Sequence, residues 1–553
     1  MLAHACWPLV RLGRFRRGVW LGWRSLLSAA LFCACASAAQ PATRGTDVKP
    51  FSRRVVAYQI DARLDVNRKS IDATEILTYR NLTGRPLDRF PFHLYLNAFE
   101  PRSTFMRETR RDNPRFEWKE KHHGPIDIRS VEVVGVGDLT KQLQFIRPDD
   151  GNPDDRTVVQ VRLPRPVPPG GQVQFKIVFH VHLPEVLART GYKRDFFMVA
   201  QWFPKVGVWW RGDWNCHQFH RNTEFFADFG TYEVKLTVPQ RFVVGATGEE
   251  VSSVTNPDGT KTLAYRAEDV HDFAWTADPN FRVVEDTWAG STGTVKIRLL
   301  MSPGHMKQGS RYLRSLKGTM EHFDRWYGPY PYKQITLVDP PHGAFAAGGM
   351  EYPTLITAGT TWWMPTGLLF PELVTEHEFG NQYWYGMVAN NEFEDAWLDE
   401  GINSYTEVKI MDALYGPTRS VLDLWGLTAG EAWVQRFSYR NLPDTDPLVR
   451  SAYLYMTGGG YGTVTYAKTA TVLLTLEGLI GEETLRRAIQ TYFIRYRFTH
   501  PTEEDFLETI EEVAGQNLRW FFDQAVYGTQ VLDYAVRSIR SDRVDWFEQK
   551  APP

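Results

Sequence analysis

His377 and Glu378 stand side by side in the run Val374-Thr375-Glu376-His377-Glu378-Phe379-Gly380-Asn381. On a helix, positions 377 and 381 lie one turn apart and face the same way. Two imidazoles at that spacing hold a zinc ion, with the intervening glutamate aimed at a water beside it. Here the second place belongs to Asn381. Its amide oxygen is a weaker ligand than an imidazole nitrogen, and its side chain is shorter. Glu400 follows after a stretch long enough to finish one helix, turn, and return a third ligand from a second helix. Glu376 is an oxygen donor next door, but it projects about 100° round the helix from His377. His342, in a loop, is another candidate nitrogen. Taken singly, His377-Glu378 equally describes a surface histidine on a helix, and Glu400 an ordinary helical acid.

The elements that must position these groups follow from the hydrophobic pattern. From about Arg54 to Leu300 the sequence alternates as strands do: Val56, Tyr58, Ile60 and Ala62 on one face, Val55, Ala57, Gln59 and Asp61 on the other. Similar runs occur at Val158–Leu163, Val173–Leu183, Tyr232–Val238 and Val295–Leu300. Pro168-Pro169-Gly170-Gly171 and Asn256-Pro257-Asp258-Gly259 supply turns between them. This predicts a large antiparallel β domain. Near residue 305 the period changes: Leu313, Leu316, Met320, Phe323 and Trp326 recur at helical steps. Strands at Gln334–Val338 and Pro353–Ala358 precede helices at Glu372–Val388, Ala396–Leu414, Thr465–Ile480, Leu485–Arg495 and Glu503–Ala514, the last with Thr502 as N-cap. The fold class expected is multidomain α+β, the antiparallel β domain being followed by a mostly helical one.

Three motifs in order give this pattern a family. Gly348-Gly349-Met350-Glu351-Tyr352-Pro353 is similar to the Gly-Ala-Met-Glu-Asn motif of the zinc aminopeptidases of the aminopeptidase N type, peptidase family M1. The segment from His377 to Glu400, with its Trp397-Leu398-Asp399-Glu400-Gly401 core, resembles the family's metal site. Tyr466-Ala467-Lys468-Thr469 resembles its Tyr-x-Lys-Gly, opening an apolar helix. The resemblance runs from about residue 50 to 530 and implies a thermolysin-like catalytic fold. It implies one zinc ion per chain held by His377 and Glu400, with Asn381 at the third ligand place. It implies that Glu351 binds the free α-amino group of a peptide, beside Gly349 and Met350, and so makes the enzyme trim one residue at a time. Glu378 is then the general base that takes a proton from water and returns it to the leaving amine. Tyr466 donates a hydrogen bond to the tetrahedral oxyanion. Gln201, in Ala200-Gln201-Trp202, helps form the first substrate pocket.

Departures from the family pattern set the alternatives. With Asn381, a weakened peptidase, a peptide-binding pseudoenzyme and a damaged variant of an active lineage are all open. Tyr352 stands for the motif's asparagine and Thr469 for the glycine after Lys468. A thermolysin-like endopeptidase shares the helix motif, but Glu351 speaks against it. Larger family members continue beyond the region around Tyr534, so a wider cleft is expected here.

Size and composition set the frame. The 553 residues, 43% hydrophobic and 23% charged, suit several soluble domains. With 63 basic and 65 acidic side chains the net charge is −2, which gives no electrostatic reason to expect nucleic acid. Arg11, Arg14, Arg16, Arg17 and Arg24 precede an apolar run from Leu26 to Ala39 that ends in small residues. This describes an export signal cleaved near Ala38 or Ala39, delivering the chain to the periplasm or the medium. Arg16-Arg17 leaves a twin-arginine route open, and Cys33 and Cys35 leave a lipid or membrane tether open. Cys216 is the one cysteine of the mature chain, expected as a small buried hydrophobe without a disulfide. The expected domains are a signal at 1–39, a β-rich domain at 40–300, a metallopeptidase domain at 301–530 and a short tail at 531–553.

Overall fold

The computed structural model describes residues 49–359, 364–531 and 538–539. The expected export signal at 1–39 lies outside the described residues, as does most of the expected tail. Strand Val56–Asp65 buries Val56, Tyr58, Ile60, Ala62 and Leu64 and exposes its other face, as its alternation predicts. It lies inside an eight-stranded sheet. One neighbour is Ser70–Arg80, antiparallel. The other is Gly230–Pro239, and there the register, Val56 opposite Gly230, is parallel. The expected antiparallel domain is thus corrected at this one pairing. Gly230 makes it possible, because a Cβ there would sit 2.1 Å from the Val56 carbonyl oxygen. The predicted hairpin at Asn256–Gly259 joins Glu249–Thr255 to Thr260–Val270, with Gly259 left-handed at φ 78°. Two four-stranded sheets and the two-stranded Val208–Trp210 and Asp213–Asn215 complete this half and share its aromatic core.

A second core begins with strands rather than helices. Val295–Leu300, read in sequence with the β-rich segment, lies instead in the hairpin Arg282–Gly290 and Gly293–Met301. That hairpin forms one sheet with Gln334–Asp339 and Leu355–Thr357. The local alternation was right, but it cannot say which sheet a strand joins. Val295, Ile297 and Leu299 pack with Tyr312, Leu316, Met320 and Phe323 of helix Gly309–Trp326. Helices Phe370–Trp384 and Trp397–Tyr415 follow, then Thr469–Ile480, Glu482–Tyr496 and Glu503–Ala514. Thr502 caps the last, its hydroxyl accepting from Asp505 N–H while its own backbone N–H donates to the Asp505 carboxylate. Cys216 is buried and free. Among the described residues no helix is long and apolar enough to cross a membrane.

Two histidines hold a loop of the β half, and one of them, His217, ties it to the helical half. Asp149 accepts from His217 Nδ1 at 2.7 Å and from His220 Nε2 at 3.1 Å. Their other nitrogens face Glu394 at 3.3 Å and Glu108 at 2.9 Å. Both rings can donate from both nitrogens only as imidazolium. Burial opposes that charge, but the hydrogen bonds to Asp149 and to Glu394 or Glu108 outweigh it, lifting both rings to about 9. Since the folded-state value lies above the ordinary 6.5, the resulting stability is fully present below about pH 6.5. It declines above that and is lost as pH rises through about 9. Unfolding followed by urea from pH 6 to 10 is expected to show this loss in the native chain. In Asp149→Asn the slope over that window should flatten.

Candidate active site

Helix Phe370–Trp384 carries His377, Glu378, Asn381 and Gln382 one turn apart or adjacent, and Trp397–Tyr415 carries Asp399, Glu400, Asn403 and Glu407. The two pack closely because Gly380 faces Asn403, leaving no room for a side chain at 380, while Gly401 lets the second helix approach Thr465 and Thr469. His377 sits between two carboxylates, with Nε2 2.9 Å from Glu400 Oε2 and Nδ1 3.0 Å from Glu407 Oε2. Burial disfavours charge on this ring, yet the two hydrogen bonds hold it well above the usual histidine range. Glu400 receives three donors: His377, the Asn381 amide at 3.2 Å and the Tyr466 hydroxyl at 2.5 Å. Burial pushes Glu400 up, but these bonds prevail and keep it below the ordinary carboxylate range. Among the described residues Glu378 has no such donors. Burial first, and the charges of Glu400, Glu224 and Glu407 after it, raise it to about 8 against the pull of His377.

The glycine-rich motif forms the facing wall. Gly349, left-handed at φ 68°, brings the backbone past Glu378, whose Oε1 would lie 3.7 Å from a Cβ there. Met350 and Thr357 exchange backbone hydrogen bonds. Gln382 then ties this loop to the helix, donating to the carbonyls of Glu351 at 2.7 Å and Tyr352 at 3.2 Å and accepting from Thr354 N–H. Gln382 thus helps fix the position of Glu351 relative to Glu378. A cavity of about 400 Å³ lies between, lined by Gly349, Met350, Glu351, His377, Glu378, Glu400 and Tyr466 among others. Tyr466 reaches it from a π-helical turn, Thr463–Lys468, rather than from the start of the following α-helix.

Not every expected residue joins this cavity. Gln201 is 4% exposed and held in a buried triad, donating to Asp272 and accepting from Lys205; it is not part of the lining. Glu376 is buried behind the helix with neither oxygen paired, and His342 is exposed. Four residues escaped sequence reasoning. Arg189 and Glu224, from the β half, form an ion pair on the cavity wall. Glu407 lies seven residues after Glu400, two turns along the same face, a spacing that could have revealed it. Gln382 follows Asn381 directly.

His377 Nε2 and Glu400 Oε2 converge as a nitrogen and an oxygen donor suited to zinc. The third place fits poorly. Asn381 turns its amide N–H toward Glu400 and Asp399, and its oxygen is already taken by the Asn403 amide.

Residues 312–525 match the peptidase family M1 domain. The matched relatives include an aminopeptidase N of Streptomyces lividans, 26% identical over 202 residues, which are 34% of this chain and 22% of that one. A probable aminopeptidase of Sulfurisphaera tokodaii is 25% identical over 241 residues, 40% of this chain and 29% of its own. The aligned region is thus about a third or less of these relatives' length. An M1 zinc metallopeptidase from Deinococcus radiodurans superposes with a TM-score of 0.60 at 16% identity, over 87% of this chain and 96% of that one. Aminopeptidase A of Legionella pneumophila, in complex with aspartic acid, gives 0.61 at 15% identity over 87% and 50%. Residues 312–525 are thus similar to the peptidase family M1 domain, and the fold is the one seen in the M1 zinc metallopeptidase structure.

Proposed function

We propose that this chain is a zinc-dependent aminopeptidase whose hold on the metal is weakened at Asn381, acting on peptides with a free amino end. One observation carries the reading. Glu351, 5% exposed, turns a carboxylate into the cavity that also holds His377, Glu378, Glu400 and Tyr466. An anion there meets the ammonium of a peptide and sets how far the chain reaches toward Glu378, so one residue is removed at a time. His377 and Glu400 would hold zinc, which when bound makes water acidic enough to attack near neutral pH. Glu378 takes the proton and passes it to the leaving amine. The Tyr466 hydroxyl, now on Glu400, is the donor that can turn to the developing oxyanion.

Hydrolysis of amino-acid anilides, with added zinc and with chelator, tests the activity. Glu351→Gln is expected to lower kcat/KM by about 10–100-fold, chiefly through KM, as loss of a charge-assisted contact implies. It should also erase the preference for free over acetylated amino ends. Efficient cutting of acetylated peptides by the native chain would instead mean an endopeptidase.

A second reading, a cleft that binds peptides without cutting them, is favoured by the way Asn381 donates to Glu400 and surrenders its oxygen to Asn403. Activity that stays absent at saturating zinc in a folded sample would select it. Export rests on the basic, apolar and small-residue pattern of residues 1–39. Amino-terminal sequencing of the mature protein should begin near Ala39 or Gln40.

A further inference from the structure

A second cavity, of about 340 Å³, lies where the β half meets the helical half and shares no lining residue with the candidate active site. Trp209, Trp210 and Phe229 wall it from the β half, and Phe498 from the turn between helices Glu482–Tyr496 and Glu503–Ala514. The rings hold one another in place. Phe229 meets Phe498 edge-on at 5.7 Å, and His500 stacks on Phe229 and meets Trp210 edge-on. Such walls favour a large apolar group, and pockets of this size at the junction of two halves take small ligands.

Three polar groups interrupt the aromatic lining. Asp228 is nearly buried, and among the described residues its carboxylate meets only His500 Nε2, at 3.4 Å, beyond the usual hydrogen-bond range. The same ring spends its Nδ1–H on the Ala389 carbonyl at 2.6 Å. The Tyr79 hydroxyl is buried with no partner at all. Burial first, and the charge of Asp228 after it, raise that hydroxyl, so the two groups lie within reach of one another's charge. Arg53 is exposed and forms no ion pair among the described residues, whereas Arg54 beside it is spent on Glu268 and Asp269. The lining thus offers a loosely held anion and an orphaned hydroxyl within, and an unpaired cation at its edge.

These groups select the occupant. A plain anion is repelled by Asp228, a plain cation meets Arg53 and Arg54, and a hydrocarbon leaves Asp228 and Tyr79 without partners. A molecule that carries an ammonium, a carboxylate and a large apolar group satisfies all of them. We propose that this cavity binds a free α-amino acid with a large apolar or aromatic side chain. The side chain lies among the four rings, the ammonium donates to Asp228 and the Tyr79 oxygen, and the carboxylate pairs with Arg53. An aminopeptidase releases molecules of this class, but binding here does not rest on that reading, since no residue of the active-site cavity takes part. The cavity does touch the chain that leaves the helix of His377 and Glu378. Phe498 N–H donates to the Met387 carbonyl at 2.5 Å, and Ala389 N–H to the Thr499 carbonyl at 3.1 Å.

Calorimetry on the full chain tests this without turnover. Glu351→Gln with a zinc chelator serves as the background, because it removes the amine contact proposed for the active-site cavity. L-Phenylalanine is expected to bind this background saturably. Phenethylamine lacks the carboxylate and N-acetyl-L-phenylalanine the ammonium, and each should bind about tenfold more weakly, the size of a lost charge-assisted contact. Added to that background, Arg53→Gln and Asp228→Asn should each weaken phenylalanine by about tenfold. Arg53→Gln should also cease to distinguish phenethylamine from phenylalanine, and Asp228→Asn should cease to distinguish the N-acetyl compound. Absence of saturable binding overturns the proposal, and so does phenethylamine binding as tightly as phenylalanine; neither result requires a further variant to fold. Arg53 is exposed, so Arg53→Gln leaves the core untouched, and phenylalanine binding that it does not change overturns the proposal too. Anilide hydrolysis reads the aminopeptidase proposal separately, so either one fails without the other.

Discussion

Asn381→His is expected to tighten zinc binding and raise the peptidase rate together, each by at least about 10–100-fold. Losing even an outer partner of a metal ligand has effects of that size, and here a ligand itself is restored. Position 381 is one turn from His377, 1% exposed, and its amide nitrogen already lies 3.2 Å from Glu400 Oε2. An imidazole reaches further than the amide and offers a nitrogen lone pair. Its outer partner is also in place, because Asp399 Oδ2, which now accepts from Asn381 at 3.1 Å, can accept the other ring N–H. His377 has the same arrangement with Glu407. The obstacle is Asn403, which presses on the Asn381 oxygen and holds the His377 carbonyl at 2.7 Å, and it must turn aside. Zinc affinity measured against a competing chelator, and anilide hydrolysis on the same samples, report the two quantities separately. A variant that binds zinc tightly yet stays inert places the defect elsewhere in the cleft. Because zinc bound to the folded state alone also stabilises it, the melting temperature of the variant should rise with zinc more than that of the native chain.

What the sequence made legible was what is local. Val56, Tyr58, Ile60 and Ala62 alternate, so the strand and its buried face could be read before any fold was known. His377 and Glu378 fall on one helix, and the return of Glu400 from a second follows from chain length and helix geometry. Pairings between distant segments were not legible. Nothing local distinguishes a parallel neighbour 174 residues away, Gly230 opposite Val56, from an antiparallel one. The same limit put Val295–Leu300 with the wrong sheet. It also hid Arg189 and Glu224, which reach the cavity only because the β half packs against the helices. Gln201 shows the converse: a short motif match fixed its place in the chain, but Asp272 and Lys205, far and near in sequence, decide what its amide touches.

Glu378→Gln should lower turnover by about 10²–10⁴-fold, the range for removing a positioned general base, while leaving zinc content and fold unchanged. Glutamine keeps the volume and the carbonyl of the side chain but cannot take a proton. Metal content should survive because His377 and Glu400 hold their geometry through Glu407, Tyr466 and each other, with no hydrogen bond to Glu378. Burial is what suits Glu378 to the task. At 6% exposure, with Glu400 and Glu224 adding negative charge, its carboxyl keeps a proton up to about pH 8 when no cation stands before it. A divalent ion there stabilises the carboxylate and pulls that value down. The sign of the pH dependence follows. A general base works only when deprotonated, so kcat/KM should rise with pH along an acidic limb and level off above it. That limb should lie below pH 8 in the zinc-loaded enzyme and vanish in Glu378→Gln. Turnover preserved in the variant, with the limb unmoved, would mean that another carboxylate serves as base. Glu351 is then the first to test, since it shares the cavity and is also raised by burial and neighbouring acids.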